Sequence, residues 1–154
     1  AGPDRHIEAI DFSKEMIARA REKAERIGVT GVAFSVQDAY DLNYGPGSFD
    51  TVIIANTLHI MSRPQRALSE IRRVLKPEGL MIAPTFIHGA GKRAAILSRL
   101  MSLSGFRAYH RWDQSGYHRF IEANGFSVEE TRLLGAIFPL AYTVARPGKA
   151  KKEI

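Results

Sequence analysis

The chain has 154 residues, 45% hydrophobic and 25% charged, which is typical of a soluble globular domain with its own core. It contains no cysteine, which excludes disulfides and thiolate metal sites, and no apolar run approaches the about 20 residues of a membrane-spanning helix. The net charge is +6, and the whole excess lies in residues 88–154, with 11 Lys+Arg against 5 Asp+Glu. The start, AGPDRHIEAID, lacks the regions of a signal peptide, so we expect a cytoplasmic protein.

The first predicted elements are a strand, a helix and a second strand. Residues 6–11 are mostly apolar and end on an acid, as a buried strand does at its carboxyl edge. Ser13 is typical of a helix cap, and Gly28 of a helix stop. The apolar residues between them recur at helical spacing, namely Met16, Ile17, Ala20, Ala24 and Ile27. Residues 32–36 then read as the second strand.

A near-continuous apolar run over residues 49–55 predicts a strand covered on both faces. Pro64 is suited to the first turn of the next helix, and Pro77 and Gly79 are predicted to end that helix. Residues 80–87 are predicted to form another buried strand. The stripe expected to be buried on the helix consists of Ala67, Leu68, Ile71, Val74 and Leu75.

The last third is predicted to hold a helix followed by two antiparallel strands. Residues 90–103 are apolar on one side, which fits a crossover helix or a lid. Asp113 can cap a short helix that stops at Asn124-Gly125, and residues 127–134 and 137–145 read as the two strands. The apolar residues of that helix are Tyr117, Phe120 and Ile121.

Strands alternating with helices imply an α/β domain with an open, mostly parallel sheet, helices on both faces and antiparallel strands at the end. We expect one domain over residues 1–146 and a basic tail over residues 147–154. Such sheets bind ligands at the carboxyl ends of their strands, so polar residues that follow strands are the candidates for a site.

Two acids follow predicted strands. A carboxylate such as Asp11 offers two oxygens to the hydroxyls of a ribose, although a helix-capping or surface acid fits equally. Asp38 can accept from the exocyclic amine of a base, or it can form an Asx turn. Phe12 and Leu58 could flank a flat base, or they could belong to the core.

The loop Asn56-Thr57-Leu58-His59 follows the longest apolar strand. His59 is a candidate general base, because the reference pKa of histidine lies near neutrality, and it could equally order the loop through a hydrogen bond. The other four histidines show no metal-ligand spacing, so we predict no metal. No phosphate-loop or nucleophile-elbow motif occurs in the sequence either.

Several short stretches, taken together, resemble a class I S-adenosylmethionine-dependent methyltransferase. Within that class the sequence most resembles the small-molecule group that includes the ubiquinone/menaquinone biosynthesis methyltransferases. The resemblance covers about residues 6–146. The stretches that carry it are Asp11-Phe12-Ser13, Gln37-Asp38-Ala39, Ser48-Phe49-Asp50, Leu58-His59, Ala67-Leu68-Ser69-Glu70, Leu75-Lys76-Pro77-Glu78-Gly79 and Gly125-Phe126.

The resemblance implies S-adenosyl-L-methionine as cofactor and a role for each matching residue. Asp11 matches the acid that binds the ribose hydroxyls, and Phe12 the residue that packs on the adenine. Asp38 matches the acid at the adenine amine, with Ala39 supplying a backbone amide. Asn56, Thr57 and Leu58 match the loop under the methionine part. His59 lies where such proteins turn toward the acceptor.

One departure concerns the family's first strand and its glycine-rich loop, which the chain does not contain. In the family sheet that strand lies between the strands predicted at residues 6–11 and 49–55, so its absence would leave strand edges unpaired. We therefore expect this truncated chain to bind the cofactor poorly or not at all.

The leading functional hypothesis is a methyltransferase acting on a small, hydrophobic molecule, with residues 87–112 covering the acceptor. One alternative is an inactive methyltransferase-like fragment that serves as an interaction module, pairing through its sheet edges into a homo-oligomer. Another is a nucleic-acid methyltransferase, which only the basic second half suggests. Against the latter, the loop Asn56-Thr57-Leu58-His59 is not the Asn/Asp-Pro-Pro-aromatic motif of amino-modifying members, and aromatic and basic residues are not interleaved.

Overall fold

The computed structural model describes residues 6–87, 109–135 and 139–148. The chain divides into two compact units, one up to Asn43 and one from Tyr44 onward. Across the described ranges no helix is long and apolar enough to cross a membrane.

The first unit is a βαβ unit with parallel strands. Strand β1 covers Ile7–Asp11, helix α1 covers Lys14–Arg26 and strand β2 covers Val32–Val36. The two strands pair in parallel from Ile7 opposite Val32 to Asp11 opposite Val36. The predicted strands and helix are thus confirmed within a residue or two.

Helix α1 begins as the sequence predicts, since the Ser13 hydroxyl accepts a hydrogen bond from the Met16 amide at 3.2 Å. The predicted apolar stripe is only partly buried. Ile17 and Ala24 are buried, whereas Met16 is 50% and Ile27 61% exposed. The five-residue stripe was therefore too wide, because β2 and β1 cover only the middle of this face within the unit.

The second unit holds the remaining strands. It contains strand β3 (Phe49–Ile53), helix α2 (Pro64–Val74), strand β4 (Leu75–Ile82), strand β5 (Thr85–Phe86), helix α3 (Gln114–Ala123), strand β6 (Phe126–Leu134) and strand β7 (Leu140–Pro147). Strand β4 pairs in parallel with β3 and antiparallel with β7, and β7 also pairs antiparallel with β5 and β6. The antiparallel close predicted at the end of the chain is confirmed.

The core of this unit lies under α2 and α3. All five residues predicted for the α2 stripe are buried. From α3, Tyr117 and Ile121 are buried, while Phe120 is half-buried. Asp113 caps α3 as predicted, and Gly125 follows the helix with φ 84°, a left-handed conformation that glycine adopts without strain.

Three predictions in the middle of the chain were wrong in detail. Strand β3 is not covered on both faces, since its Ile53 is 66% exposed. Helix α2 ends at Val74, before Pro77 and Gly79, which both lie inside β4. The second strand predicted at residues 80–87 is divided into the end of β4 and the short β5.

The expected single sheet is observed as two sheets, β1–β2 and a five-stranded sheet. Among the described residues, β1 pairs only with β2, and β3 pairs only with β4. The predicted helix or lid at residues 90–103 lies outside the described residues.

Candidate active site

The end of β1 presents a carboxylate on a tight turn. Oδ1 of Asp11 accepts a hydrogen bond from the Ser13 amide at 2.8 Å, so the acid forms an Asx turn that leads into α1. Its other oxygen has no partner in the described part of the chain. The side chain is exposed. Asp11 thus orders the turn with one carboxylate oxygen, while the ribose contact stays a prediction that this geometry permits.

Phe12, at the tip of this turn, is 77% exposed. An aromatic side chain this exposed contributes little to the core of its own unit. The prediction that it packs on a flat base is therefore sterically feasible, whereas the core interpretation of Phe12 does not hold within this unit.

The end of β2 repeats the same arrangement. Oδ1 of Asp38 accepts from the Tyr40 amide at 2.8 Å, the Asx turn that the sequence left open, and the Asp38 carbonyl accepts from the Asp41 amide at 3.0 Å. Asp38 is exposed and Ala39 half-buried. Two strands of the first unit thus each end on an acid that uses one oxygen for the backbone.

In the second unit, the loop after β3 is held by its backbone. Asn56 has φ 53°, the one positive φ of a non-glycine residue in the described ranges, and its amide donates to the Pro84 carbonyl at 2.8 Å. The Thr57 hydroxyl donates to the Ala55 carbonyl at 2.9 Å. Left-handed backbone costs energy outside glycine and tends to persist at functional sites.

The next two residues of the loop turn inward. Leu58–Ile60 form a single 3₁₀ turn, in which Leu58 and His59 are buried. The Leu58 side chain is 1% exposed and belongs to the core. A role for Leu58 at a cofactor would therefore involve its backbone.

His59 contacts the segment that follows β4. Its Nδ1 lies 3.0 Å from Oγ1 of Thr85, which is also buried, and its ring meets that of Phe86 edge to face at 6.4 Å. The loop after β3 and strand β5 are thereby joined at the carboxyl ends of two parallel strands. This is the edge at which sheets of this kind bind ligands.

A group of aromatic rings stands beside this histidine. The amide of His110 donates to the His59 carbonyl at 3.1 Å, and the His110 ring stacks on Trp112 at 4.9 Å with a 6° interplanar angle. Trp112 in turn stacks on Phe120 at 4.6 Å and lies 5.4 Å from Tyr117. We call His110, Trp112, Tyr117 and Phe120 the aromatic cluster.

The cluster is fixed to α3 and β4 by polar contacts. The Tyr117 hydroxyl donates to the Ala83 carbonyl at 3.0 Å, and burial raises the pKa of this phenol. Oδ1 of Asp113 accepts from the Gly116 amide at 2.6 Å and from the Ser115 hydroxyl at 3.1 Å, and these bonds hold the pKa of Asp113 below its usual value.

In residues 6–87, 109–135 and 139–148, no group of three or more His, Asp or Glu side chains is arranged to hold a metal ion. Within the first unit, the residues at the strand ends are the exposed carboxylates of Asp11 and Asp38 and the exposed ring of Phe12, which are groups suited to contacting an organic ligand.

Residues 2–83 match the methyltransferase domain family, which is more than half of the chain. The chain belongs to this methyltransferase family. The resemblance drawn from the sequence is thereby confirmed, and S-adenosyl-L-methionine is the cofactor that the family implies.

Two curated relatives illustrate the breadth of this family. Over 106 residues the domain is 35% identical to phosphatidylethanolamine N-methyltransferase of Cereibacter sphaeroides, covering 68% of this chain and 52% of that protein. Over 105 residues it is 31% identical to the mitochondrial 2-methoxy-6-polyprenyl-1,4-benzoquinol methylase of Gallus gallus, covering 68% and 33%. The chain thus spans about half the length, or less, of these relatives.

Solved structures share the fold of this methyltransferase domain. The PH0226 protein of Pyrococcus horikoshii OT3 is 25% identical with a TM-score of 0.73, covering 94% of this chain and 72% of that one. A SAM-dependent methyltransferase of Aquifex aeolicus is 19% identical with a TM-score of 0.74, covering 94% and 71%. These neighbours confirm the predicted α/β fold class with its antiparallel strands at the end, which is a Rossmann-like fold.

The structure brings only part of the predicted site together. Within the second unit, Asn56 and His59 lie on one loop joined to residues 84–86. Sequence reasoning missed Thr85 and the His110–Trp112 stack. Thr85 stood inside a predicted buried strand, and a threonine in an otherwise apolar run was the one signal available for it.

Proposed function

We propose that the protein transfers a methyl group from S-adenosyl-L-methionine to a small, hydrophobic molecule. The observation that carries this proposal is Asp11, which lies inside the matched family region and ends β1 with one carboxylate oxygen without a partner among the described residues. A carboxylate at a strand end, preordered by its own Asx turn, is suited to a ribose diol because both hydroxyls can donate to it.

Each proposed cofactor contact follows from the placement of its residue within its own unit. In the first unit, Asp11 would bind the ribose and exposed Phe12 would pack on the adenine. Asp38 would accept from the adenine amine, and the Ala39 amide would donate to the adenine ring. In the second unit, the backbone of Asn56, Thr57 and Leu58 would support the methionine part. The left-handed Asn56 supports this role, since it redirects the backbone directly after β3.

The chemistry asks little of protein side chains. The bound sulfonium supplies an activated methyl group, so the reaction belongs to the cofactor. The protein's contribution is to align the acceptor and exclude water. His59 is proposed as a base where the acceptor must lose a proton, and its burial beside Thr85 equally supports a role in ordering the loop.

The acceptor is proposed as small and hydrophobic, because Phe86 is 47% exposed beside His59 and the aromatic cluster is hydrogen-bonded to the His59 backbone. Relatives named for phosphatidylethanolamine and for a benzoquinol support this class without choosing within it. A cytoplasmic location and a homo-oligomer stay predictions from the sequence. Neither the interaction-module nor the nucleic-acid alternative is supported by an observation of its own.

Calorimetric titration of the 154-residue chain with S-adenosyl-L-methionine tests the proposal. Asp11→Ala should abolish binding, whereas Asp41→Ala is the matched control, because Asp41 is an equally exposed acid in the loop after β2. The expectation of poor binding by this chain calls for high protein concentration. If the folded parent does not bind, this chain does not form a sufficient cofactor site by itself. That result would indicate that the additional strand is needed for binding.

A further inference from the structure

One buried polar atom has no hydrogen-bond partner in the described ranges, and it is Nε2 of His110. No functional site was predicted at this histidine from the sequence, and none of the cofactor contacts proposed above uses it. Its main-chain amide is already engaged by the His59 carbonyl at 3.1 Å.

A buried ring nitrogen without a partner is unusual in a native protein. Leaving a buried polar group unpaired costs about 1–3 kcal/mol, and most such atoms in folded proteins are paired. An unpaired atom that persists therefore calls for a specific explanation, such as a ligand that completes it.

One face of the His110 ring is packed although its Nε2 is unpaired. The face that stacks on Trp112 is nearly parallel to the indole, and Trp112 is itself stacked on Phe120. The His110 backbone is tied to the loop after β3, beside the buried His59–Thr85 pair. An imidazole stacked on one face and carried by a hydrogen-bonded backbone loses less entropy when its Nε2 binds a ligand.

We infer that Nε2 of His110 accepts a hydrogen bond from the methyl acceptor, through a hydroxyl or an amine hydrogen of that molecule. A ring nitrogen accepts only when it carries no hydrogen, so this contact requires the tautomer with its hydrogen on Nδ1. This inference rests on the proposed function, because only methyl transfer requires an acceptor molecule. His110 would be a binding residue that selects acceptors carrying an O–H or N–H group.

Two sources of this hydrogen are chemically distinct and can be separated with paired probes. The first pair is 2-naphthol and 2-methoxynaphthalene, which differ by replacement of the hydroxyl hydrogen. The second is dihexanoyl phosphatidylethanolamine and dihexanoyl phosphatidylcholine, of which only the former carries N–H donors. Binding of each probe to the full chain is measured by calorimetry without S-adenosyl-L-methionine.

We expect the parent to bind the donor member of one pair about 2- to 10-fold more tightly than its partner, as one hydrogen bond would give. His110→Phe keeps an aromatic ring on Trp112 and should abolish that preference, and His110→Gln should restore part of it. His118→Phe is the control, since His118 is a half-buried α3 residue 3.5 Å from Glu122, and it should leave the preference unchanged.

The inference is overturned if the parent shows no preference in either pair, or if His110→Phe retains it. Which pair shows the preference identifies a hydroxyl or an amine. The fluorescence of Trp112, the single tryptophan of the chain, reports whether each variant keeps its fold, and His110→Leu replaces His110→Phe if the latter unfolds. Because no cofactor is present, this outcome is independent of whether S-adenosyl-L-methionine binds.

Discussion

His59 and Thr85 form a buried polar pair, with 3.0 Å between Nδ1 and Oγ1, across 26 residues of sequence. Both side chains are less than one-tenth exposed, so water cannot readily take the place of either partner in this hydrogen bond. The pair fixes the loop after β3 against β5 and sets the orientation of the imidazole. Any chemistry that His59 performs therefore depends on Thr85.

Thr85→Val removes the hydroxyl but keeps the shape of the side chain. We expect it to lower the free energy of unfolding by about 1–3 kcal/mol, because a buried histidine nitrogen loses this bond. Urea unfolding followed by circular dichroism measures the change.

The matched control is Thr51→Val on the exposed position of β3, where we expect a change within about 0.5 kcal/mol. Equal effects of the two substitutions would show that the hydroxyl of Thr85 contributes nothing specific. If His59 acts as a base, Thr85→Val should also shift the pH dependence of methyl transfer, which a loop-ordering role alone would not require.

The Tyr117 phenol predicts a loss of stability in alkali. Burial raises its pKa in the folded chain, so the folded state keeps a proton that the unfolded state releases. The stabilisation is fully present below the unfolded pKa of about 10 and is lost as the pH rises toward the folded value. We expect stability to fall above about pH 10, by at most about 1.4 kcal/mol per pH unit from this group.

Tyr117→Phe should reduce this alkaline decline and, at neutral pH, cost about 1 kcal/mol through loss of the bond to Ala83. Tyr109→Phe is the control, because Tyr109 is exposed. Urea unfolding at pH 7, 9 and 11 separates the two effects. An alkaline decline that survives Tyr117→Phe and disappears in Tyr109→Phe would contradict the assignment.

The elements predicted most closely were those with local signals. Ser13 capped α1 and Asp113 capped α3, because a cap is decided by a single side chain and the amide three residues on. The five residues of the stripe predicted for α2 are all buried, although Leu75 lies in β4, because the apolar face of α2 packs on the core of one unit. For α1, spacing alone overestimated the buried face, since periodicity does not reveal how much partner surface is available.

The candidate site was harder to predict, because its second half depends on contacts distant in sequence. The loop at residues 56–59 was recognised, yet its partners at residues 84–86 and 110–112 were not. A buried threonine and a stacked histidine give no periodic signal. The apolar run of β3 was predicted to be covered on both faces, because the composition of a strand does not reveal which of its faces is packed.

Gly79 is predicted to tolerate no side chain. A Cβ there would lie 3.0 Å from the Lys76 carbonyl oxygen and 3.1 Å from that of Asp50, both backbone atoms. We expect Gly79→Ala to lower the melting temperature, at a cost of about 1–3 kcal/mol. Gly45→Ala is the control, where the nearest atom is the Ser48 hydroxyl at 3.6 Å, and comparable melting of both variants would contradict the close approach.

Asn56 allows the backbone and the side chain of the loop to be tested separately. Its φ of 53° suits glycine, so Asn56→Gly should preserve the turn, whereas Asn56→Ala should lower the free energy of unfolding by about 1 kcal/mol. If this loop supports the cofactor through its backbone, Asn56→Gly should bind S-adenosyl-L-methionine like the parent and Asn56→Ala more weakly. Equal loss in both variants would instead assign the contact to the asparagine amide. Thr57→Ala distinguishes the effect of the Asn56 turn from that of the next residue, because it removes only the hydrogen bond from the Thr57 hydroxyl to the Ala55 carbonyl.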